Sequence, residues 1–316
     1  MRLYIGMDGG GTRTTAVAVR EDGTLAGSAQ GGGLNYLQDG LETCLGRFEE
    51  LARSLMGNTP PEDVVVSAGL AALDGPADAD ILGAFRARLP GGCTLHLTSD
   101  ALIALMGHTM GGPGMMVICG TGSMLMALDR SGKEHVLGGW GWKMGDAGSG
   151  YTLSRNALVR ATEDFDLTGH RSVLMEDALR FFAAAQPRDL IARLYDPAMG
   201  TDTMAAFGAR VLEAARQGDA DALHIAEHEM TRLACLAEAL YRQVPEAAVC
   251  AVYGGVMQHS PLARQLFTQA LSERCSGVEV TAPRHPPEIG AVVLGMLKDG
   301  KTAEEISGLL ERRNGI

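Results

Sequence analysis

Residues 3–19 of the chain read LYIGMDGGGTRTTAVAV, and this stretch decides the fold class of the first part of the protein. Residues 3–8 are an apolar run typical of a buried strand, and residues 14–19 are β-branched and alternate, which predicts a second strand. The turn between them, Asp8-Gly9-Gly10-Gly11-Thr12, allows several backbone N–H groups to face one concavity. A tight hairpin without a ligand is the simpler interpretation. Three glycines after an aspartate exceed what a hairpin requires, so we favour a phosphate site in which the carboxylate holds Mg²⁺.

The same plan recurs from residue 115. Residues 115–119 (MMVIC) and 124–128 (MLMAL) are apolar strands joined by Gly120-Thr121-Gly122-Ser123, and the two glycine turns together predict a clamp for the phosphates of a nucleotide. Two copies of one plan predict two α/β lobes with a cleft between them. The breaker Gly-Gly-Pro-Gly places the boundary at 114, giving lobes of residues 1–114 and 115–300. We expect the last helix, about residues 301–316, to pack back on the first lobe.

Composition narrows the function classes. A chain of 316 residues suits two domains, each with its own core. Its 42 glycines amount to about 13% of the chain against a usual ~7%, and they are clustered, which indicates backbone close to a ligand. The net charge of −11 repels nucleic acid and acidic membrane surfaces. Small anions are still compatible with it, because fixed backbone N–H groups bind phosphate in acidic proteins.

Cysteine spacing and the N-terminus predict the compartment. The six cysteines form no CxxC pair, which favours buried thiols of a reducing compartment over disulfides or a metal site. MRLYIGMDGGGT lacks the apolar core and cleavage site of a signal peptide. Residues 101–128 carry no charged side chain, but the Gly-Gly-Pro-Gly breaker cuts them into runs too short to span ~30 Å of hydrocarbon. We therefore expect a cytoplasmic protein.

Periodicity predicts the remaining elements. Apolar residues recur at helical spacing in residues 41–56 and again along residues 223–240. The other predicted strands are residues 64–67, 94–98 and 248–253, and the other predicted helices are residues 78–88, 261–272, 288–298 and 302–313.

Two carboxylates outside the first turn are candidates for chemistry. Asp100 follows the predicted strand 94–98, where site residues of α/β lobes commonly lie, and it is our candidate general base. An N-cap for a helix that starts at Ala101 explains the same aspartate equally well. Asp146 lies in a third glycine-rich turn, residues 145–150, and both tryptophans of the chain come just before it. That segment is suited to form the wall of a pocket.

Two pattern matches are interpreted as structural. Residues 295–302 fit the phosphate-loop expression GxxxxGK[ST], but the chain leaves no room after them for the strand and aspartate that usually follow. Residues 224–228 fit the inverted zinc motif HxxEH, but they lie beside the apolar stripe of a helix with no third ligand, so we interpret them as a solvated helix face.

Taken together, these turns resemble the N-acetylglucosamine kinase branch of the BadF/BadG/BcrA/BcrD ATPase family nearly from end to end. DGGGT at 8–12 and GTGS at 120–123 are similar to the family's two phosphate motifs, and GGWGWKMGDAGSGY at 138–151 is similar to its most specific signature. Tyr253-Gly254-Gly255 resembles the adenosine motif, and residues 287–291 (PEIGA) resemble the closing helix. The resemblance implies an α/β, two-lobed actin-like ATPase (ribonuclease H-like) fold. Each lobe would be a mixed sheet flanked by helices, with ATP and Mg²⁺ in the cleft between them.

The resemblance also implies roles for single residues. Asp8 would organise Mg²⁺, directly or through water, and Asp100 would take the proton from the 6-hydroxyl of an amino sugar. Asn35 and Asp146 would hydrogen-bond the sugar hydroxyls, and Gly150 belongs to the same substrate set. The implied nucleotide-binding set is Asp8, Gly9, Gly10, Gly11, Thr12, Gly120, Thr121, Gly122, Ser123, Gly254 and Gly255.

The chain departs from the family pattern at two positions. Ala147 stands where many relatives carry Glu, and Leu37 follows the Asn35-Tyr36 pair where some animal relatives carry Trp. The expected partners are ATP and an amino sugar, most simply N-acetylglucosamine, with glucosamine or a muramic-type amino sugar as alternatives and a homodimer left open. The alternative from another class is an activator ATPase that transfers electrons from a shared iron–sulfur cluster to a partner protein. A ROK-type kinase or repressor is disfavoured, because the zinc-binding cysteine cluster of that group is missing.

Overall fold

A computed structural model describes residues 1–73 and 77–311 of the chain. Contacts between Cα atoms divide the chain into two compact units. The first unit contains Met1–Gly114, Arg130–Lys133 and the segment that begins at Pro283, and the second contains Met115–Asp129 and Glu134–Ala282. Each unit has its own five-stranded sheet.

The strands in chain order are β1 (Leu3–Gly9), β2 (Arg13–Arg20), β3 (Leu25–Gly32), β4 (Val64–Leu70), β5 (Thr94–Ser99), β6 (Gly114–Cys119), β7 (Ser123–Leu128), β8 (Glu134–Gly138), β9 (Val249–Tyr253) and β10 (Glu279–Thr281). The helices are α1 (Tyr36–Asp39), α2 (Leu41–Met56), α3 (Ala79–Arg86), α4 (Asp100–Thr109), α5 (Gly150–Thr168), α6 (Val173–Phe181), α7 (Asp189–Leu194), α8 (Thr201–Ala206), α9 (Gly208–Arg216), α10 (Ala220–Gln243), α11 (Gly255–His259), α12 (Pro261–Arg274), α13 (Pro287–Lys298) and α14 (Ala303–Glu311). Residues 312–313 of the last predicted helix lie outside the described residues.

The two sheets have the same topology. The strand order is β3-β2-β1-β4-β5 in the first and β10-β9-β6-β7-β8 in the second, which is the first order traced from its opposite edge. In the first sheet β1 pairs with β2 antiparallel and with β4 parallel, and β4 pairs with β5 parallel. In the second sheet β6 pairs with β9 and β9 with β10 in parallel, whereas β7 and β8 are antiparallel. The repeated plan inferred from the two glycine turns is therefore present in both units.

Strands β3 and β8 were not predicted from the sequence, and neither was the three-residue strand β10. Strand β3 (LAGSAQGG) has no buried residue, and β8 (EHVLG) has none either, so neither carries the apolar run that marks a buried strand. Each lies at the edge of its sheet and is held by pairing with the neighbouring strand, β2 or β7. Strands of this kind are defined by tertiary pairing rather than by their own composition.

Each unit is built on its own core. In the first, the apolar stripe of α2 packs on the sheet, and the rings of Phe48 and Phe85 meet edge to face with centroids 5.0 Å apart. In the second, the predicted stripe of α10 packs among α5, α9 and α12; Met230, Leu233 and Ala237 are fully buried and Leu223 is half-buried. The long predicted helix is therefore a core element of the second unit.

Helix α13 belongs to the first unit, whereas the sequence boundaries placed residues 283–300 in the second lobe. Its apolar residues are buried, and it packs on α4 and on strand β1. Glycine at position 290 permits this approach, since a Cβ there would lie 1.7 Å from the carbonyl oxygen of Ile103. The hydroxyl of Tyr4 also donates to Asp299 at 3.0 Å. Helix α13 therefore belongs to the first unit because its apolar residues are buried against the first sheet, which the order of elements along the chain does not reveal.

The two pattern matches that were interpreted as structural, residues 295–302 and 224–228, lie on helices or at a helix end. Gly295 lies within α13, and the ammonium of Lys301 is 3.8 Å from the carboxylate of Glu21, so the phosphate-loop pattern is a helix C-terminus. His224 and His228 are exposed on α10, as expected for a solvated face.

Cysteines and membrane helices give two further observations. All six cysteines are free thiols; five are buried and Cys235 is exposed. Within residues 1–73 and 77–311, no helix combines the length and apolar character needed to cross a bilayer.

Candidate active site

Three parallel strands of the first unit end side by side and fix the position of the first glycine turn. Gly9 is opposite Leu70, and Leu70 is opposite Ser99, so β1, β4 and β5 reach the same edge of the sheet in register. Side chains at the carboxyl ends of parallel strands are well placed to meet a ligand. Asp8, near the end of β1, and Asp100, directly after β5, are thereby brought to one edge.

The first glycine turn is closed by backbone contacts. The N–H of Gly10 donates to the carbonyl of Arg13 at 3.1 Å, and the N–H of Leu34 donates to the carbonyl of Gly10 at 3.0 Å. Glycine is required at position 33, because a Cβ there would lie 2.2 Å from the carbonyl oxygen of Gly11. The glycine turn and the loop before Asn35 are therefore packed directly against each other.

Carboxylates concentrate beside this turn. Burial, together with the negative charges of Asp100 and Glu288, raises the pKa of Asp8 to about 6, while Arg13 acts in the opposite direction. Glu288 was not assigned a role from the sequence, although it lies in the PEIGA segment that opens α13. The sequence feature that marked this position was the pair of prolines at the start of α13, a helix that packs on β1.

The N-cap interpretation of Asp100 is wrong. The cap of α4 is Ser99, whose hydroxyl accepts from the N–H of Leu102 at 3.2 Å. Asp100 is the first residue of the helix. The carboxylate of Asp100 is therefore not used to begin the helix.

The side chain of Asn35 caps a helix through its oxygen, and its amide nitrogen takes no part in the cap. Its Oδ1 accepts from the N–H of Leu37 at 3.2 Å and caps the short helix α1. Among the described residues, its Nδ2 has no hydrogen-bond acceptor. A capped, oriented side-chain amide with an unused donor suits the hydroxyl of a small polar ligand.

Mg²⁺ fits the surroundings of Asp8. A half-buried carboxylate whose pKa is raised by desolvation and by neighbouring negative charge gains from a divalent cation, and carboxylate oxygen is the ligand Mg²⁺ prefers. Within the described chain, no three His, Cys, Asp or Glu side chains are grouped closely enough to hold a metal by themselves. Mg²⁺ held at Asp8 would therefore take its other ligands from phosphate and water, as it usually does in nucleotide sites.

The second glycine turn is tied to the start of α5. The N–H of Gly150 donates to the carbonyl of Gly120 at 2.8 Å, and the hydroxyl of Ser123 donates to the carbonyl of Ala147 at 2.7 Å. The hydroxyl of Thr121 donates to the carboxylate of Asp202 at 2.9 Å. Turn 120–123 and turn 145–150 are consequently one assembly.

Asp146 is held in a conformation that few residues adopt. Its φ is +63°, in the left-handed region, where Asp is tolerated better than most side chains. Burial raises the pKa of its carboxyl group, and hydrogen bonds from the backbone N–H groups of Ser123 and Gly141 oppose this shift. Such local strain at a buried carboxylate is common at functional sites.

A buried glutamate on α10 supports this assembly from behind. Glu229 is fully buried; it accepts from the N–H of Gly148 at 2.8 Å, from the side-chain amide of Asn156 at 2.9 Å and from the guanidinium of Arg232 at 2.9 Å. Burial acts to raise its pKa, but these bonds outweigh burial and hold the pKa below its usual value. The sequence carried no signal for Glu229 beyond an acidic residue at a buried helix position.

We expect Glu229→Gln to lower the free energy of unfolding by about 3 kcal/mol, because an amide NH₂ would face the N–H of Gly148 and leave Arg232 unpaired. Since the pKa of Glu229 is depressed in the folded state, its contribution is present above the unfolded pKa near 4.3 and is lost as pH falls further. Urea unfolding at pH 7 and pH 3 measures both effects. Glu227→Gln, an exposed neighbour, is the control and should change stability by less than about 0.5 kcal/mol. Equal stability of the two variants would contradict the prediction.

A cavity of about 430 Å³ opens beside the second turn. Gly120, Thr121, Gly150 and Gly255 line it, so it brings together four of the predicted ligand residues. Residues that were not predicted also line it, namely Asp202, Ala205, Ala206, Ala209, Leu212, Glu213, Arg216, Val256, His259, Ser260, Pro261 and Leu262. Its volume is in the range of small-molecule and cofactor sites.

Three of the predicted residues lie behind the cavity or beside it. Gly122 and Ser123 are not among its lining residues, and the hydroxyl of Ser123 is engaged by Ala147, so these two positions support the turn from inside. Gly254, with φ of +94°, follows β9 and is the N-cap of α11, one residue before the cavity wall at Gly255. The roles assigned to these residues stay predictions.

Comparison with known proteins shows where the chain belongs. The model of the BadF/BadG/BcrA/BcrD ATPase family matches residues 5–295. The chain belongs to this family. The resemblance inferred from the glycine turns is thereby confirmed, and so is the fold class, two α/β units of the actin-like ATPase type.

Individual relatives of this family member are similar over nearly their whole length. It is 25% identical over 311 residues to the N-acetyl-D-glucosamine kinase of Dictyostelium discoideum, covering 93% of this chain and 98% of the relative. It is 26% identical over 300 residues to an N-acetylmuramic acid/N-acetylglucosamine kinase of Clostridium acetobutylicum, with the same coverage. A solved Chromobacterium violaceum structure, provisionally named an N-acetylglucosamine kinase, aligns with a TM-score of 0.73 at 26% identity, covering 93% of this chain and 99% of that one.

Proposed function

We propose that the protein is an ATP-dependent kinase that phosphorylates an amino sugar, N-acetylglucosamine at its 6-hydroxyl being the first candidate. The observation that carries this proposal is the pairing of Asp8 and Asp100 at one edge of the first sheet, beside a glycine turn. One carboxylate suits a metal–phosphate complex and the other suits a sugar hydroxyl. The full-length similarity to N-acetylglucosamine kinases gives the acceptor class.

Asp100 is the proposed base. A phosphoryl group passes through a loose transition state in which positioning and charge stabilisation do most of the catalysis. The sugar hydroxyl needs to lose its proton only as the new O–P bond forms, and a carboxylate within hydrogen-bond reach accepts it. Ser99 caps α4, so the Asp100 carboxylate is held at a fixed helix start.

The remaining groups bind and orient. Mg²⁺ at Asp8 would neutralise charge on the β- and γ-phosphates. The backbone N–H groups of residues 9–12 and 120–123 are proposed to hold phosphate oxygens, and the cavity at Gly255 to hold the adenosine. Asn35, through its unused Nδ2, and Asp146, through its buried carboxylate, are proposed to hold sugar hydroxyls. We place the reaction in the cytoplasm, where ATP is available and free thiols persist.

Release of ADP from Mg·ATP tests the proposal. The panel of acceptors is N-acetylglucosamine, glucosamine, N-acetylmannosamine, N-acetylmuramic acid, glucose and no sugar. We expect turnover that depends on an amino sugar, with little hydrolysis in its absence, because water is excluded when the acceptor is bound. ATP hydrolysis at a rate that does not depend on the sugar, or a coloured preparation that contains iron, would instead support the activator-type ATPase.

A further inference from the structure

A second and larger cavity lies in the second unit, beside the cavity of the second glycine turn. Its volume is about 630 Å³, and residues of α5, α7 and α8 and of the loop before α5 line it. None of the residues assigned above to ATP, Mg²⁺ or the sugar is among them. The proposed reaction therefore gives this cavity no function.

The cavity has an aromatic wall that is open to water. Trp142, Tyr151 and Tyr195 line it from three separate segments, namely the loop before α5, α5 itself and the end of α7. Trp142 is 43% exposed and Tyr195 is 84% exposed. Val159 and Ile191 add exposed aliphatic surface. Apolar side chains gathered in one concave site of this size, rather than scattered singly, indicate a site for a small molecule.

Charge in the cavity favours an anionic ligand. Arg155 lines it, and within the described part of the chain its guanidinium has no hydrogen-bond or ion-pair partner. The other two charged lining residues, Arg188 and Asp166, lie 3.9 Å apart and offset each other. The ammonium of Lys143 is 5.1 Å from the ring centroid of Trp142 and adds a second cation at the aromatic wall. Because the whole chain has a net charge of −11, this excess of positive charge is a local feature.

The guanidinium and the aromatic wall are neighbours on α5. Tyr151 and Arg155 have the i, i+4 spacing that brings two side chains together on one face of a helix. The ring of Trp142 lies against that of Tyr151, with centroids 5.1 Å apart. A flat apolar body packed on these rings has the guanidinium near its edge, where a carboxylate or sulfonate accepts charge-assisted hydrogen bonds. The cavity is therefore suited to an aromatic organic anion.

Helix α8 forms part of the wall of both cavities. Thr201 and Met204 line the larger cavity, whereas Asp202 and Ala205 line the smaller one. The carboxylate of Asp202 also accepts the hydrogen bond from the hydroxyl of Thr121, in the second glycine turn, at 2.9 Å. A ligand that contacts Thr201 and Met204 therefore contacts the same six-residue helix that holds Thr121.

We infer that the larger cavity is a second ligand site, which binds an aromatic organic anion through Arg155 and whose occupancy changes the affinity of the smaller cavity for ATP through α8. The anion is an effector, and it neither donates nor accepts the phosphoryl group. The site stands apart from the proposed function. Its coupling to ATP rests on the proposed function, because it takes the smaller cavity as the nucleotide site.

Two fluorescent dyes with the same aromatic body test the site. Anilinonaphthalene sulfonate carries one anionic group, and the N-phenylnaphthylamine of the same isomer lacks it. The Kd of each dye is measured by fluorescence titration of the full-length wild type and Arg155→Gln. We expect this substitution to weaken binding of the sulfonate by about 10-fold and of the neutral dye by less than about 2-fold.

Two further variants separate this role from general dye binding. Arg264→Gln removes the same charge from an exposed arginine of α12 that lines neither cavity, and it should change the Kd of neither dye. Val159→Trp fills the cavity from an exposed position and should weaken binding of both dyes. Equal losses of both dyes in Arg155→Gln, or unchanged binding of both in Val159→Trp, would overturn the site.

The coupling is measured with ATP and the sulfonate dye together. We expect ATP to change the Kd of the dye by about 5-fold or more and to reach a plateau, and saturating dye to change the Kd of ATP by the same factor. Asp202→Ala removes the acceptor of the Thr121 hydroxyl, so it should bring this factor close to one while the dye still binds. Glu163→Ala, at an exposed position of α5 that lines neither cavity, should retain the factor.

The remaining outcomes are distinguishable. Displacement of the dye by ATP without a plateau would place the dye in the nucleotide cavity and overturn the inference. Dye binding that ATP leaves unchanged overturns the effector role, and a dimer that excludes the dye overturns the site, because a second copy of the chain would then cover the cavity. If the protein binds no ATP, the proposed function fails, whereas the effect of Arg155→Gln on the two dyes still decides the site.

Discussion

Asp100→Asn is expected to reduce kcat by about 10²- to 10⁴-fold while the affinity for ATP stays nearly unchanged. The amide has almost the shape of the carboxylate but cannot accept the proton of the sugar hydroxyl. The helix start should persist, because Ser99 and not Asp100 caps α4. A base that acts only during the transfer should therefore be lost without loss of the nucleotide site.

Asp80→Asn is the matched control for this substitution. Asp80 lies in the first turn of α3 in the same unit, is exposed, and is replaced with the same change of charge. ADP release and ATP binding by calorimetry measure the two effects for both variants. If Asp100→Asn retains turnover, the base lies elsewhere, and Asp146 is the next candidate.

Asp8→Asn is expected to make the protein more stable and far less active. At pH 8 we expect the free energy of unfolding of the metal-free protein to rise by about 1–3 kcal/mol, because a pKa raised from 3.8 to about 6 means that the folded state opposes the charge. Activity should fall by about 10²-fold or more, with a higher Mg²⁺ requirement, since the carboxylate proposed to orient the metal–phosphate complex would be gone.

The pH dependence identifies the cause of this stabilisation. The raised pKa means that the folded state binds the proton more tightly than the unfolded state, so wild-type stability falls as pH rises from about 4 to about 6 and is constant above that range. The advantage of Asp8→Asn should be full at pH 8 and largely gone at pH 4. Thermal unfolding at the two pH values measures it, with Asp80→Asn as the control. A stability difference that does not change with pH would contradict this account.

The trade between stability and activity at Asp8 has a structural origin. Three carboxylates, those of Asp8, Asp100 and Glu288, raise the local negative charge, and nearby Arg13 offsets only part of it. A protein optimised for stability alone would replace one of them, whereas a site that binds a cation retains them. Glu288 also contributes to the raised pKa of Asp8. Its substitution should therefore reduce the difference in stability between pH 4 and pH 8.

Local sequence determined much of the fold and much of the candidate site. The apolar runs of β1, β4, β5, β6 and β9 and the stripes of α2 and α10 predicted these elements, because period and composition are recorded in the residues themselves. Clustered glycine next to Asp8 and Asp146 marked both turns for the same reason, since close backbone approach needs glycine wherever it occurs.

Only the tertiary structure decided the remainder, and the reason is that it depends on distant partners. The edge strands β3 and β8 exist through pairing, and α13 joins the first unit through burial against β1 and α4. Ser99 and Asp100 are equally good caps by residue type, and the hydrogen bond to Leu102 distinguishes them. Glu229 and Glu288 are ordinary acidic residues of helices until packing places the first under Gly148 and the second beside Asp8. Composition and periodicity describe each segment, whereas the charge and contacts that a site needs arise between segments far apart in the chain.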